Sequence, residues 1–416
     1  MIFPRRLFIS LLLSLLVSLP SYVRSGETSP EEAPFPLLPG LEGSVEFWKL
    51  VFTRYGTSQL IFHDTIEPTR IYTVLEVGEE SAPRRLIEEE RAKILKEHDL
   101  GTDEKRVRAQ RGVKERFASG LKLSRRYLEQ MQRIFQEEGL PLDLTYLPLV
   151  ESAFDIHARS RAGALGMWQF MPSTGRKFLR VSPMIDERRD PLESTRAAAR
   201  FLKQNYQVFG NWPLAITAYN HGREGILRAV AEVDSKDLME IIRRYQSPSF
   251  GFASKSFYAE FLAAVAVAKK AEEFFPALEY HPALTLEELE MERAVSIATL
   301  LKPTDVSPRE FFEWNPALSP KIKEIPRGYR VKVPPDKLKL FLAAYQQVVE
   351  PSSIKANAPS IRERAVSWIR HRVAPGETLS QIAKNYGISV REIQRANGLS
   401  SVHRIAVGQQ LKIPKG

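Results

Sequence analysis

Glu151 stands at the end of a short apolar run, Leu147-Pro148-Leu149-Val150, and a polar loop follows it through Ser160 and Gly163 to Gly166-Met167-Trp168-Gln169. A carboxyl on an apolar face is poorly hydrated, which disfavours its charged form and holds its proton to higher pH. An acid that keeps its proton near neutrality is what protonation of a glycosidic oxygen requires. The Gly-rich backbone, the aromatic ring and the side-chain amide downstream suit a sugar site around such an acid. Leu144, Leu147 and Glu151 lie three and four residues apart and so share one helical face. Pro148 removes a backbone donor there, which predicts a kink or an early end to that helix.

Glycosidases usually work with two carboxylates. Asp155 is four residues on and Asp143 eight back, but neither sits in a motif that gives it a role, and Asp155 reads as a surface or turn aspartate. Ser152 has His157 and His221 as candidate partners. There is no nucleophile elbow and no placed aspartate, so a serine hydrolase is disfavoured. The 7 histidines are scattered without ligand spacing and no phosphate loop occurs, so neither metal nor cofactor is expected.

Three ordered motifs, Glu151-Ser152, Gly166-Met167-Trp168-Gln169 and Ala218-Tyr219-Asn220, resemble the markers of the Slt-type lytic transglycosylases, most closely the membrane-bound lytic murein transglycosylase D group. The resemblance implies a mainly α lysozyme-like domain in which Glu151 acts as the single acid and base. The C6 hydroxyl of N-acetylmuramic acid would attack its own anomeric carbon and leave a 1,6-anhydro end. Ser160 matches the family serine that orients substrate. Gln169 would bond an N-acetyl group or ring hydroxyl, and Tyr219 and Asn220 would line the groove, with the tyrosine hydroxyl near Glu151. Trp168 replaces the usual methionine and could stack on a sugar or fill the core. Tyr258 matches a later family tyrosine, but the preceding Glu-Thr reads Ser254-Lys255, which leaves site and core both open. The family's Asn-Pro likewise reads Asp155-Ile156. A muramidase that uses water, or a silent wall-binding scaffold, is the alternative.

Composition bounds the setting. A chain of 416 residues, 43% hydrophobic and 26% charged, predicts several globular domains. With no cysteine, disulfides, thiolate sites and a lipidated N-terminus are all excluded. Arg5, Arg6 and the apolar run Leu7 to Leu19, then Pro20 and Val23-Arg24-Ser25, read as a signal peptide over 1–25, with an uncleaved anchor as the alternative. An exported chain of net charge +10, its basic residues interspersed with acidic ones, suits an anionic wall polymer or a membrane surface. Nucleic acid is not expected as a partner.

The domain reading follows. Residues 26–120 would be a disordered start and a helical N-terminal arm, with a strand over Arg70 to Val77 and helical tendency over Leu86 to His98 and Asp103 to Phe117. The catalytic domain would span 121–275, with Ser124 capping its first helix. Within 370–416, Val373-Ala374-Pro375-Gly376-Glu377-Thr378 and the segments after it resemble a LysM module (strand, helix, helix, strand), which implies binding to the glycan strands of peptidoglycan. Val306 to Ser319 echoes Ile388 to Ser400, and Arg327 to Pro334 echoes Val407 to Pro414. Residues 285–345 therefore read as a degenerate LysM-like unit, joined to the last module by a linker over 346–369.

Overall fold

The computed structural model describes residues 34–80, 82–349, 368–397, 399 and 405–414. The expected signal segment and most of the expected linker lie outside the described residues. Met1–Val349 and Glu350–Gly416 separate as two units.

In the first unit, the Glu42–Thr53 helix precedes three antiparallel strands, β1 (Gln59–Asp64), β2 (Ile71–Glu76) and β3 (Val107–Arg111), in the order β2-β1-β3. This corrects the helical arm read over this region. Asp103 to Phe117 is not one helix: Leu60 to Asp64 pair residue by residue with Arg111 to Val107, and the next helix starts only at Lys114. β1, its partner, was hidden because it is buried on both faces and so lacks an alternating pattern. Leu60 and Phe62 join Ile94, Leu95 and Val107 on one side, and Ile61 enters the main core on the other.

The main core lies among the Lys114–Glu137, Pro191–Phe209, Trp212–His221 and Phe252–Lys269 helices. Ala197, Ala198 and Ala199 are fully buried, and such small side chains let helix backbones approach. Asp190 caps the Pro191–Phe209 helix by accepting from the Leu192 and Glu193 amides at 3.0 and 2.9 Å, and Gly210 ends it at φ +78°. Ser124 does not start a helix. It sits inside Lys114–Glu137, with its hydroxyl bonded back to the Leu121 carbonyl at 2.8 Å. Nor does Pro148 kink one: the Leu147–Glu151 helix begins beside it, where its missing donor costs nothing.

Residues 285–345 have a core of their own, including Phe311, Tyr329, Val331 and Phe341. It is fastened to the helical domain by the buried Lys332 ammonium, 2.8 Å from Asp190 and 3.1 Å from Glu193, with Glu288 at 3.9 Å. Arg330 also pairs with Glu193. In the second unit, Trp368–Arg372 pairs antiparallel with Gln410–Pro414 around the helices Leu379–Tyr386 and Val390–Asn397.

The internal echo extends to the hydrogen bonds. The Asn397 side chain donates to the Lys412 carbonyl at 2.8 Å and accepts from its amide at 2.7 Å. Asn315 brackets Lys332 in the same way, at 2.9 and 2.8 Å. The capping box of Ser389 and Glu392 has its counterpart in Ser307 and Glu310.

Removing a buried cation leaves its carboxylates uncompensated. Lys332→Met is therefore expected to destabilise the first unit by about 3–5 kcal/mol, read as a lowered midpoint in urea unfolding followed by tryptophan fluorescence.

Candidate active site

Glu151 ends its helix, and the chain reverses at once through Ala153 and Phe154, both left-handed at φ +55° and +61°. Gln169 is also left-handed, at φ +48°. Non-glycine residues occupy that region only when their surroundings hold them there, and such strain gathers at functional sites. At Phe154 the backbone amide returns to the Pro148 carbonyl at 3.1 Å, and beside Gln169 the hold comes from Arg188. Its guanidinium grips Asp186 through two bonds, at 2.9 and 2.7 Å, and donates to the Gly163 and Phe170 carbonyls, both at 3.0 Å. Gly166, at φ +82°, passes so close that a Cβ there would lie 1.8 Å from the Arg188 carbonyl oxygen.

The remaining polar side chains of the loop also bond backbone. Ser152 donates to the Met167 carbonyl at 2.8 Å, and Tyr219 to that of Trp168 at 2.8 Å. The Gln169 amide donates to Gly166 and Ala158 carbonyls at 2.8 and 3.1 Å. The Ser160 hydroxyl accepts the Ala164 amide at 2.9 Å.

Glu151 is different. It keeps partial solvent contact, but protein surrounds its carboxyl and no hydrogen bond or ion pair joins it to another described residue. Burial pushes its carboxyl up to about 8. Leu147 and Phe154, close to it in sequence, are fully buried, as is Met167, whose carbonyl takes the Ser152 hydroxyl, and they supply the apolar wall. The Tyr219 phenol is raised well above its ordinary value by burial, then by the charge on Glu151, so the two groups face one another electrostatically.

Glu151, Ser160, Gln169 and Tyr219 thus lie on one loop-and-helix assembly. Asn220 is exposed at the adjoining helix end and accepts from Ser254 at 3.3 Å. Trp168 and Tyr258 depart from the sugar-contact reading. Trp168 is fully buried, stacked on Phe135 at 5.7 Å and donating to Thr195 at 3.0 Å, so no face is left for a sugar. Tyr258 is fully buried, and its hydroxyl donates to the Pro36 carbonyl at 2.9 Å. Asp155 bonds the His157 amide within its own turn at 2.8 Å, and Asp143 pairs with Lys269 at 2.6 Å. His221 meets Ser254 at 3.0 Å and Ser152 donates to Met167, so neither bonds the other.

Sequence reasoning missed Glu260. It lies on the Phe252–Lys269 helix, which packs against the Leu147–Glu151 helix, and it feels the charge on Glu151. The one available signal was an acid interrupting an apolar stripe, at Tyr258-Ala259-Glu260-Phe261.

Fold and site define a lysozyme-like helical domain built around a dry glutamate, followed by a small βααβ module. The Transglycosylase SLT domain matches residues 132–242, and the LysM domain residues 371–414. The chain is 28% identical over 289 residues to the membrane-bound lytic murein transglycosylase D of Escherichia coli K12, covering 68% of this chain. It spans 62% of that relative's length. It is 31% identical over 162 residues to a putative tributyltin chloride resistance protein of Alteromonas sp. strain M-1, covering 38% of this chain and 76% of that protein. The solved 70 kDa soluble lytic transglycosylase of Escherichia coli matches at 23% identity and TM-score 0.30, over 36% of this chain and 25% of that one. The chain belongs to the Slt-type lytic transglycosylase family.

Two outcomes follow from the geometry. Gly166→Ala must displace the loop against the Arg188 carbonyl, and misplacement on the scale of an ångström costs on the order of a hundredfold in rate; initial rates of muropeptide release read it. For stability, a carboxyl raised to about 8 in the fold is penalised as pH climbs above the ordinary carboxylate range, and the penalty levels off above that raised value. Glu151→Gln removes the penalty, so the variant should gain stability over native at pH 8 and gain little at pH 4, measured as thermal midpoints.

Proposed function

We propose that this protein is a peptidoglycan lytic transglycosylase that cleaves the β-1,4 bond between N-acetylmuramic acid and N-acetylglucosamine. The observation that carries the reading is Glu151, dry, unpaired and next to Tyr219 within the family's three motifs. In the first step its proton passes to the bridging oxygen as the C1–O bond breaks. Glu151 is then a carboxylate and takes the proton of the C6 hydroxyl as that oxygen bonds C1. The 1,6-anhydro ring closes, Glu151 regains its proton and no water is consumed. Ser160, Gln169, Tyr219 and Asn220 would contact the sugar. Gln169 retains its amide oxygen as an acceptor, since both of its bonds here are donated.

The catalytic domain is placed at 121–275, a degenerate LysM-like unit at 285–345 and a LysM module at 370–416. The Asn315 and Asn397 brackets support the pairing of the last two. A glycan-binding module raises the local concentration of strands at the cleft, so modest affinity suffices. Export rests on residues 1–25. No helix among the described residues is long and apolar enough to cross a membrane.

A muramidase is the second reading, and Glu260 favours it, because a second carboxyl is what water activation would need. Mass spectrometry of soluble products from purified peptidoglycan decides between the two. Anhydro-muropeptides from the native protein, lost with Glu151→Gln, are expected. Reducing ends would give the muramidase, and strong sacculus binding without products would leave a scaffold.

A further inference from the structure

Glu260 is the acidic residue of the Phe252–Lys269 helix, and it is only half-buried although protein surrounds its carboxyl. No hydrogen bond or ion pair joins that carboxyl to another described residue. Among the described residues no cation pairs with it, and the Arg108 guanidinium against this helix lies over the Phe252 ring at 4.2 Å. On its own helix, Lys255 lies over the Phe250 ring and Lys269 pairs with Asp143 of the preceding turn. The Glu42–Thr53 helix, which also packs here, contributes Glu42, Glu46 and Lys49, the last two paired with each other. The Trp212–His221 helix contributes Tyr219, bonded to Trp168, and His221, bonded to Ser254. The Leu142–Tyr146 turn adds Tyr146, and the Leu147–Glu151 helix adds Glu151. The charge that acts on Glu260 across the packed helices is that of a second carboxyl, Glu151, unbonded like itself.

We propose that Glu260 is a positioning residue of the same site, the partner with which Glu151 shares one proton, so that Glu151 stays able to act as an acid over a wider pH range. The inference rests on the reading of Glu151 as the acid. Two carboxyls in one poorly hydrated space lose their first proton readily from either member, but the second must leave against a neighbouring charge. Burial and then the charge on Glu151 together raise Glu260 to about 8, and burial alone raises Glu151 to about 8, so both members hold their protons into the same pH range. Over the interval between the two steps, Glu151 carries the shared proton for a sizeable part of the time. Without its partner it would lose the proton in a single step. Glu260 needs no contact with the sugar to act in this way.

The test uses the full-length chain labelled with 13C at the glutamate side-chain carboxyl, titrated by NMR in native, Glu260→Gln, Glu260→Asp and Glu151→Gln forms. In native protein the pair should titrate in two separated steps. In Glu260→Gln, Glu151 should complete its titration in one step, lower by on the order of one pH unit than the native second step. Glu151→Gln should do the same to Glu260, and Glu260→Asp should restore part of the separation. The pH profile of muropeptide release, each variant normalised to its own maximum, should lose its alkaline side by the same shift in Glu260→Gln. A uniform loss of rate with an unmoved profile, or a Glu151 titration identical with and without Glu260, overturns the proposal. Should the titrations couple while the products prove to be reducing ends, the shared proton stands and the transglycosylase reading falls.

Discussion

An ionisable carboxyl held away from water without a partner costs free energy, and it persists only if nothing nearby can bond it. The polar side chains of the motifs around Glu151 do not bond it. Each is committed elsewhere: Ser152 to Met167, Tyr219 to Trp168, Gln169 to Gly166 and Ala158, and Arg188 to Gly163 and Phe170. The donors are spent on the carbonyls of one loop. That loop, bent through left-handed residues, thereby acquires a shape its own local preferences would not give it, and none of these bonds goes to the acid.

The parts of this arrangement that are contiguous in the chain were legible before any coordinates. Glu151-Ser152, Gly166 to Gln169 and Ala218 to Asn220 each present their chemistry within a few residues, and the LysM pattern does so over 371–414. What the sequence hid is contributed from a distance. Arg188 reaches back to Gly163, and Glu260 meets Glu151 from a helix whose register reads as ordinary core. Tyr258 was ambiguous because the residue that takes its hydroxyl, Pro36, precedes it by 222 positions. Trp168 sits in a motif, yet its ring turns to Phe135 and Thr195. A motif locates a backbone; which way each side chain faces is decided by tertiary neighbours. The missed strand β1 shows another cause, since a strand buried on both faces loses the alternation by which strands are recognised.

The echo between residues 285–345 and the last module shows how one local solution serves two environments. In both, an asparagine bonds both backbone groups of a lysine, so the helix end and the strand are locked together. The lysine side chains have parted ways: Lys412 is exposed, while Lys332 is buried against Asp190 and Glu193. Asp190 already caps the Pro191–Phe209 helix, and Glu193 lies in its first turn, where an acid also suits the helix dipole. The same carboxylates thus begin a helix of one core and anchor a strand of the other.

This dual use makes the junction a single hereditary unit. A change at Asp190 that a helix start could tolerate would strand the ammonium of Lys332, and a change at Lys332 would leave two acids facing each other inside the protein. No one-step path leads to another pairing without passing through a buried, unmatched charge. Sequences descended from this one should keep Asp190, Glu193 and Lys332 together or exchange them together for apolar residues. Surface positions around them are free to drift.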